Sequence, residues 1–172
     1  MLAAAFAALL HLQTPDPLAR AWEGLEQCFT PDEVRKTCRA LAGYRRTHDG
    51  RIINDAEVVL VDEDPEMILV SATPVTLRDD MVCGTGKMAE GEIQTVIVDG
   101  VSITAKNDPT DLIGAIAEAF QVSSGGREIC TRYDAAGEGR FTPVVFLDGK
   151  QFPDDGDVVI WVRRDDGWRV AP

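Results

Sequence analysis

Asp-Gly steps cut this chain into short alternating segments, and that punctuation restricts it to a fold built from hairpins. His48-Asp49-Gly50 separates Thr37 to Thr47 from Arg51 to Val61, and Asp99-Gly100 separates Glu92 to Val98 from Val101 to Thr104. Asp and Gly adopt the positive φ that tight hairpin turns demand, so each step reads as a turn between antiparallel strands. Ile52, Ala56, Val58 and Leu60 share one face of the second arm, as a half-buried strand requires, with Asn54 the exception. Asp62-Glu63-Asp64-Pro65 then turns the chain into Glu66 to Arg78, where Met67, Leu69, Val75 and Leu77 line one face. Further strands are expected over Arg127 to Tyr133, Arg140 to Leu147 and Val158 to Arg164, with Asp165-Asp166-Gly167 turning into Trp168 to Val170. Leu18 to Thr30 fits either a helix or a strand.

One helix is signposted over residues 109–122. Asp108 suits its N-cap, Pro109 its first position, and Asp111 adds negative charge to the first turn. Leu112, Ile113, Ile116, Ala119 and Phe120 form an apolar stripe, and Gly125-Gly126 offers a stop. Many short strands with one helix and no long β-α-β units argue against a doubly wound nucleotide-binding fold. The expected class is α+β: a mainly antiparallel, curved sheet with the one helix packed on it, in a single disulfide-stabilised domain over 18–172.

Met1 to Leu12 contains no charged side chain and has the texture of a signal-peptide apolar region. Twelve helical residues reach only about 18 Å, short of a bilayer core of about 30 Å. Residues 1–13 are therefore expected to form an apolar signal helix, and Thr14-Pro15-Asp16-Pro17 a boundary after it. No Lys or Arg precedes the run and Leu12-Gln13-Thr14-Pro15 lacks a small-x-small cleavage pattern, so a core helix of Ala and Leu is the alternative.

The four cysteines are Cys28, Cys38, Cys83 and Cys130, and none lies in a Cys-x-x-Cys spacing, which leaves thioredoxin-like and zinc chemistry unsupported. An even count behind an export-like start favours two disulfides in a periplasmic or secreted protein; four free thiols in a cytosolic protein is the alternative. Three pairings are possible. Cys28 with Cys38 and Cys83 with Cys130 is the expectation, because the first pair flanks a short turn at Pro31-Asp32-Glu33.

The chain carries 29 acidic and 17 basic side chains, a formal charge of −12, which disfavours nucleic acid and anionic membranes as partners. Residues 1–51 hold seven basic and six acidic side chains, so residues 52–172 carry −13. Asp62-Glu63-Asp64, Asp79-Asp80, Asp154-Asp155-Gly156-Asp157 and Asp165-Asp166 all fall at expected turns and lack the spacing of a calcium loop. No metal site and no cofactor are expected.

Catalytic signals are equally sparse. His11 lies in the apolar start and His48 at a hairpin tip, away from any buried nucleophile. Gly84-Thr85-Gly86-Lys87 resembles the tail of a phosphate-binding loop, but Met81 and Met88 stand where the first Gly and the hydroxyl belong, so it reads as a Gly-rich turn after Cys83. Asp55 and Glu57 share a strand face and read as its solvated side. No catalytic residue is assigned.

Arg35, Lys36, Arg39, Arg45, Arg46 and Arg51 gather around the first hairpin. Arg35, Arg39, Arg45 and Arg46, with Trp22 and Trp168, are the candidate partner-facing residues; pairing of these arginines with the chain's own acids is the alternative. Trp161 alternates with apolar neighbours and reads as core. The functional expectation is an exported, non-catalytic domain that binds a protein or a small ligand in the cell envelope. A carboxylate-dependent envelope hydrolase and an acidic inhibitor or immunity-type protein are the alternatives. A convergent polar cleft would favour the enzyme, an exposed apolar or aromatic patch a protein partner, and a barrel-like cavity a ligand carrier.

Overall fold

The computed structural model describes residues 16–153 and 157–172, so the expected signal segment, 1–13, lies outside the described residues. In chain order the strands are β1 (Glu26–Phe29), β2 (Thr37–Cys38), β3 (Ala40–Arg46), β4 (Ile52–Val61), β5 (Met67–Arg78), β6 (Met81–Thr85), β7 (Ile93–Val98) and β8 (Val101–Ile103). The helix α1 (Leu112–Ser124) follows, then β9 (Glu128–Gly137), β10 (Arg140–Leu147), β11 (Lys150–Gln151), β12 (Val159–Val162) and β13 (Arg169–Val170).

Eight strands close into an antiparallel barrel in the order β4-β3-β1-β12-β10-β9-β6-β5, with β5 pairing back onto β4. This corrects the expected α+β class: the chain is mainly β, and its sheet is a closed ring, not an open curved layer covered by a helix. Met81–Thr85 makes the difference. Its Gly-rich end reads as a turn, yet the segment pairs with β5 on one side and β9 on the other. The helix begins at Leu112, three residues later than expected. Asp108 nevertheless serves its first turn, accepting from the Leu112 and Ile113 amides at 2.9 and 2.7 Å.

Directly opposed residues share a face, so the register carries one set of side chains around the lumen. Gln27 stands level with Ala42 and Trp161, Ala42 with Ala56, and Ala56 with Ser71. Leu77 is level with Val82, Val82 with Thr131, and Thr131 with Val145. Phe141 opposes Val159, and Val159 opposes Phe29. The outer face carries Arg45, Asp55, Glu57, Arg132 and Asp134, the reverse of a barrel whose exterior meets lipid. Among the described residues no helix is long and apolar enough to cross a membrane.

The two ends of the barrel differ. One is plugged by the segment before β1, where Leu18 and Ala21 pack with Ile52, Val82, Tyr44 and Trp161. The Asp16 carboxylate ties this plug, accepting from the Leu18 amide and from Trp22 Nε1, each at 2.8 Å. At the other end β5 extends past the ring and pairs with β7. Leu69, Ile93 and Val96 on the lumen-side face there meet Ile113, Ile116 and Ala117 of α1, so the helix lies over that end.

Cys28 is bonded to Cys38 and Cys83 to Cys130, at sequence separations of 10 and 47. The first bond sits with Leu41, Val162, Trp168 and Val170 in a cluster on the outer wall. The second joins opposed residues of β6 and β9. Replacing Cys83 and Cys130 together by Ser should lower the unfolding free energy by about 4 kcal/mol, and Cys28 with Cys38 by about 3 kcal/mol, by the loss of loop constraint. Urea unfolding measures both, and losses below about 1 kcal/mol for either pair would contradict this.

Candidate functional site

A polar layer crosses the lumen beside the plug. Gln27 is fully buried, and the Tyr44 hydroxyl donates to its Oε1 at 2.8 Å. Gln27 Nε2 has no hydrogen-bond partner among the described residues. Burial pushes Tyr133 up to about 12. Burial, and then the neighbouring Tyr133, raise Tyr44 well above the ordinary phenol range. Both phenols are therefore neutral at physiological pH and supply hydrogen bonds, not acid–base chemistry.

Towards α1 the lumen is not filled. A cavity of about 450 Å³ lies between the inward residues Thr73, Gly84, Ile129, Val145 and Leu147 and the helix residues Phe120, Ser123 and Ser124. Phe152, which follows β11 and is 53% exposed, stands at its edge with Met88. The walls are mostly aliphatic and aromatic, and Gly84 contributes no side chain at an inward position.

The end of β6 fixes the helix over this space. The Gly86 amide donates to the Arg127 carbonyl at 2.7 Å, and the Ser124 hydroxyl donates to the Gly86 carbonyl. A Cβ on Gly86 would lie 2.5 Å from Ser124 Cβ, so only glycine permits this approach. The stretch Gly84-Thr85-Gly86-Lys87 is therefore cavity wall and helix anchor. At the rim stand two cations, Lys87 and Arg127, and one acid, Glu92.

The candidate partner-facing residues do not form a common site. Arg35 is paired with Asp32 at 2.7 Å, Arg39 with Asp62 at 2.6 Å, and Arg45 with Asp55 at 2.7 Å. Arg46 lies over the Trp22 ring at 4.4 Å, and Trp168 packs against the Cys28–Cys38 cluster. The chain's own acids and aromatics thus occupy these groups.

A second concavity, about 290 Å³, is lined by Glu26, Asp55, Glu57 and Arg164 among others. Arg164 holds both glutamates there, Glu26 at 3.0 Å and Glu57 at 2.7 Å. A general acid working near neutral pH needs a carboxyl shifted upward. The resolved carboxyl shifts run the other way. Arg39, Arg78 and Arg132 lower Asp62, Glu128 and Asp134, the Arg35 and Ile113 amides lower Asp32 and Asp108, and the Thr47 hydroxyl lowers Asp49. His48 is exposed at its turn. Among the described residues no three His, Cys, Asp or Glu side chains converge as metal ligands would.

The cavity residues escape a reading of the sequence because their strands show no polarity contrast. Phe141, Pro143, Val145 and Leu147 face inward on β10, but their outward neighbours include Val144 and Phe146. Comparison with protein-family models, curated proteins and solved structures finds no match to this chain.

The polar layer predicts the alkaline limit of the fold. Tyr44 and Tyr133 are the chain's two tyrosines, and an unfolded phenol titrates near pH 10. Between about pH 10 and 12 the unfolded chain loses protons that the folded chain keeps, so stability present below pH 10 falls as pH rises, by up to about 1.4 kcal/mol per unit for each tyrosine. Tyrosinate absorbance should therefore stay flat past pH 10 and rise together with unfolding. A smooth native titration centred on pH 10 would contradict the burial of both phenols.

Proposed function

We propose that this protein is a non-catalytic binding module that holds a small apolar molecule in the unfilled end of its barrel. The observation that carries the reading is the cavity of about 450 Å³ walled by Ile129, Val145, Leu147, Phe120 and Phe152. Eight-stranded barrels are the size at which a lumen is either filled by its own side chains or holds one small ligand. Here the plugged end is of the first kind and the end under α1 of the second. Small-molecule sites are typically concave and mainly apolar, with a few polar groups setting orientation, and Ser123, Ser124, Lys87 and Arg127 are such groups.

The protein works, on this reading, in the periplasm or outside the cell. Its four cysteines form two disulfides, which supports an oxidising compartment. The hydrolase alternative lacks a carrying observation, because the glutamates of the polar concavity are held by Arg164. A large protein-binding patch also lacks one: the most exposed apolar side chains, Val34, Val101, Val122 and Phe152, lie on separate segments.

Filling the cavity tests the reading. A Cβ on Gly84 would meet Val75 Cγ1 at 3.7 Å, an ordinary contact, and the backbone there has no positive φ, so a longer side chain is accommodated by entering the lumen. Titration with the neutral fluorophore N-phenyl-1-naphthylamine should saturate at one site in the wild type. Gly84→Leu should weaken it at least about tenfold, since a filled pocket removes apolar contact area, while Tm changes by only a few degrees. Equal affinity in the folded Gly84→Leu protein, or no saturable site in the wild type, would refute the proposal.

A further inference from the structure

Resting on the binding reading above, we infer that the ligand is an apolar monoacid, a hydrocarbon or ring body ended by one carboxylate. The cavity sets the body, and the charges at its mouth set the head. Of the 17 basic side chains eight, Arg35, Arg39, Arg45, Arg51, Arg78, Arg132, Arg140 and Arg164, are ion-paired among the described residues and nine are not; what sets two of those nine apart is their place at the cavity. Lys87 and Arg127, both exposed at the mouth, make no ion pair among the described residues. Arg127 spends its Nε on the Ser124 carbonyl at 2.7 Å, which steadies the side chain and leaves its terminal nitrogens free to donate.

Glu92, the single acid of the rim among the described residues, does not cancel them. Glu92 Oε2 accepts from the Ala89 amide at 2.9 Å and is held on its own turn. Among the described residues, two cations against one acid leave a surplus of one positive charge at the opening, which one carboxylate neutralises. A dianionic head would carry an uncompensated charge against an acidic protein surface, and a cationic head would meet Lys87 and Arg127 directly. A guanidinium and an ammonium at the opening suit a carboxylate that stays at the water boundary while its apolar body goes under α1.

Displacement of bound N-phenyl-1-naphthylamine by three compounds of equal chain length, decanoate, decan-1-ol and decylammonium, tests the head group. Decanoate should displace the probe at concentrations at least about tenfold lower than decan-1-ol, with decylammonium weakest, in keeping with charge-assisted hydrogen bonds to the head. The double variant Lys87→Gln with Arg127→Gln should still bind the probe and lose the preference for decanoate. Equal displacement by decanoate and decan-1-ol, or an undiminished preference in the double variant, overturns the monoacid assignment and leaves the apolar site intact. A wild type that does not bind the neutral probe removes the site itself, and the assignment with it.

Discussion

Strand β6 has five residues and a partner on each side, and the lumen exists because both ladders form. Paired only to β9, it would leave the end of β5 as an open edge, and the inward residues of the two strands would face solvent. The Cys83–Cys130 bond fastens β6 to β9 at directly opposed positions. On the same outward face Arg78 of β5 reaches Glu128 of β9 in a two-pronged pair at 2.8 and 2.6 Å, bracketing β6 from both flanks. Exposed ion pairs contribute little, so the covalent bond and the ladder hydrogen bonds carry the closure.

Two glycines near the end of this strand do opposite work. Gly86 brings β6 against the last turn of α1, because any side chain there would collide with Ser124. Gly84, two residues earlier and inward, leaves empty the space that the helix then covers. At the far end of the barrel Leu18, Trp161, Tyr44 and Tyr133 fill the cross-section, so the lumen is a one-ended recess. The same register that keeps apolar groups inside puts Arg45, Asp55, Glu57 and Arg132 outside, and the acidic surface follows from the turns and outer face, not from the site.

Much of the strand layout could be read from the residues, and its closure could not. Alternation along Arg51 to Val61 and Glu66 to Arg78 marks β4 and β5, and the apolar sets named there do face the lumen. Period-two patterning is clear on β4, where Asp55 and Glu57 stand on the outward face, whereas the outward face of β5 carries Ile68, Val70 and Ala72 and a charge only at Arg78. It fails for Met81–Thr85, whose inward positions are Val82 and Gly84 and whose outward Cys83 is itself apolar, so the strand that converts sheet into ring looks like a loop. Ring closure is a long-range register, fixed when Thr76 opposes Cys83 and Cys83 opposes Cys130, and no local pattern encodes it. The helix stripe was visible, but its start was displaced because Asp108 caps from four residues ahead of Leu112. The arginines around the first hairpin read as a partner surface with intramolecular pairing as the alternative, and the fold places Asp32, Asp62 and Asp55 within ion-pair distance of three of them.

Amide hydrogen exchange on β6 tests closure most directly. The Gly86 amide faces β9, where it meets the Arg127 carbonyl, so alternation directs the Gly84 and Val82 amides to β9 as well. The Met81 and Cys83 amides then face β5. A closed barrel predicts that these two exchange as slowly as the amides of the central strands, through global unfolding only. If Val82 and Gly84 are protected while Met81 and Cys83 exchange at the rates of an exposed sheet edge, the ring is open and the account of the lumen fails.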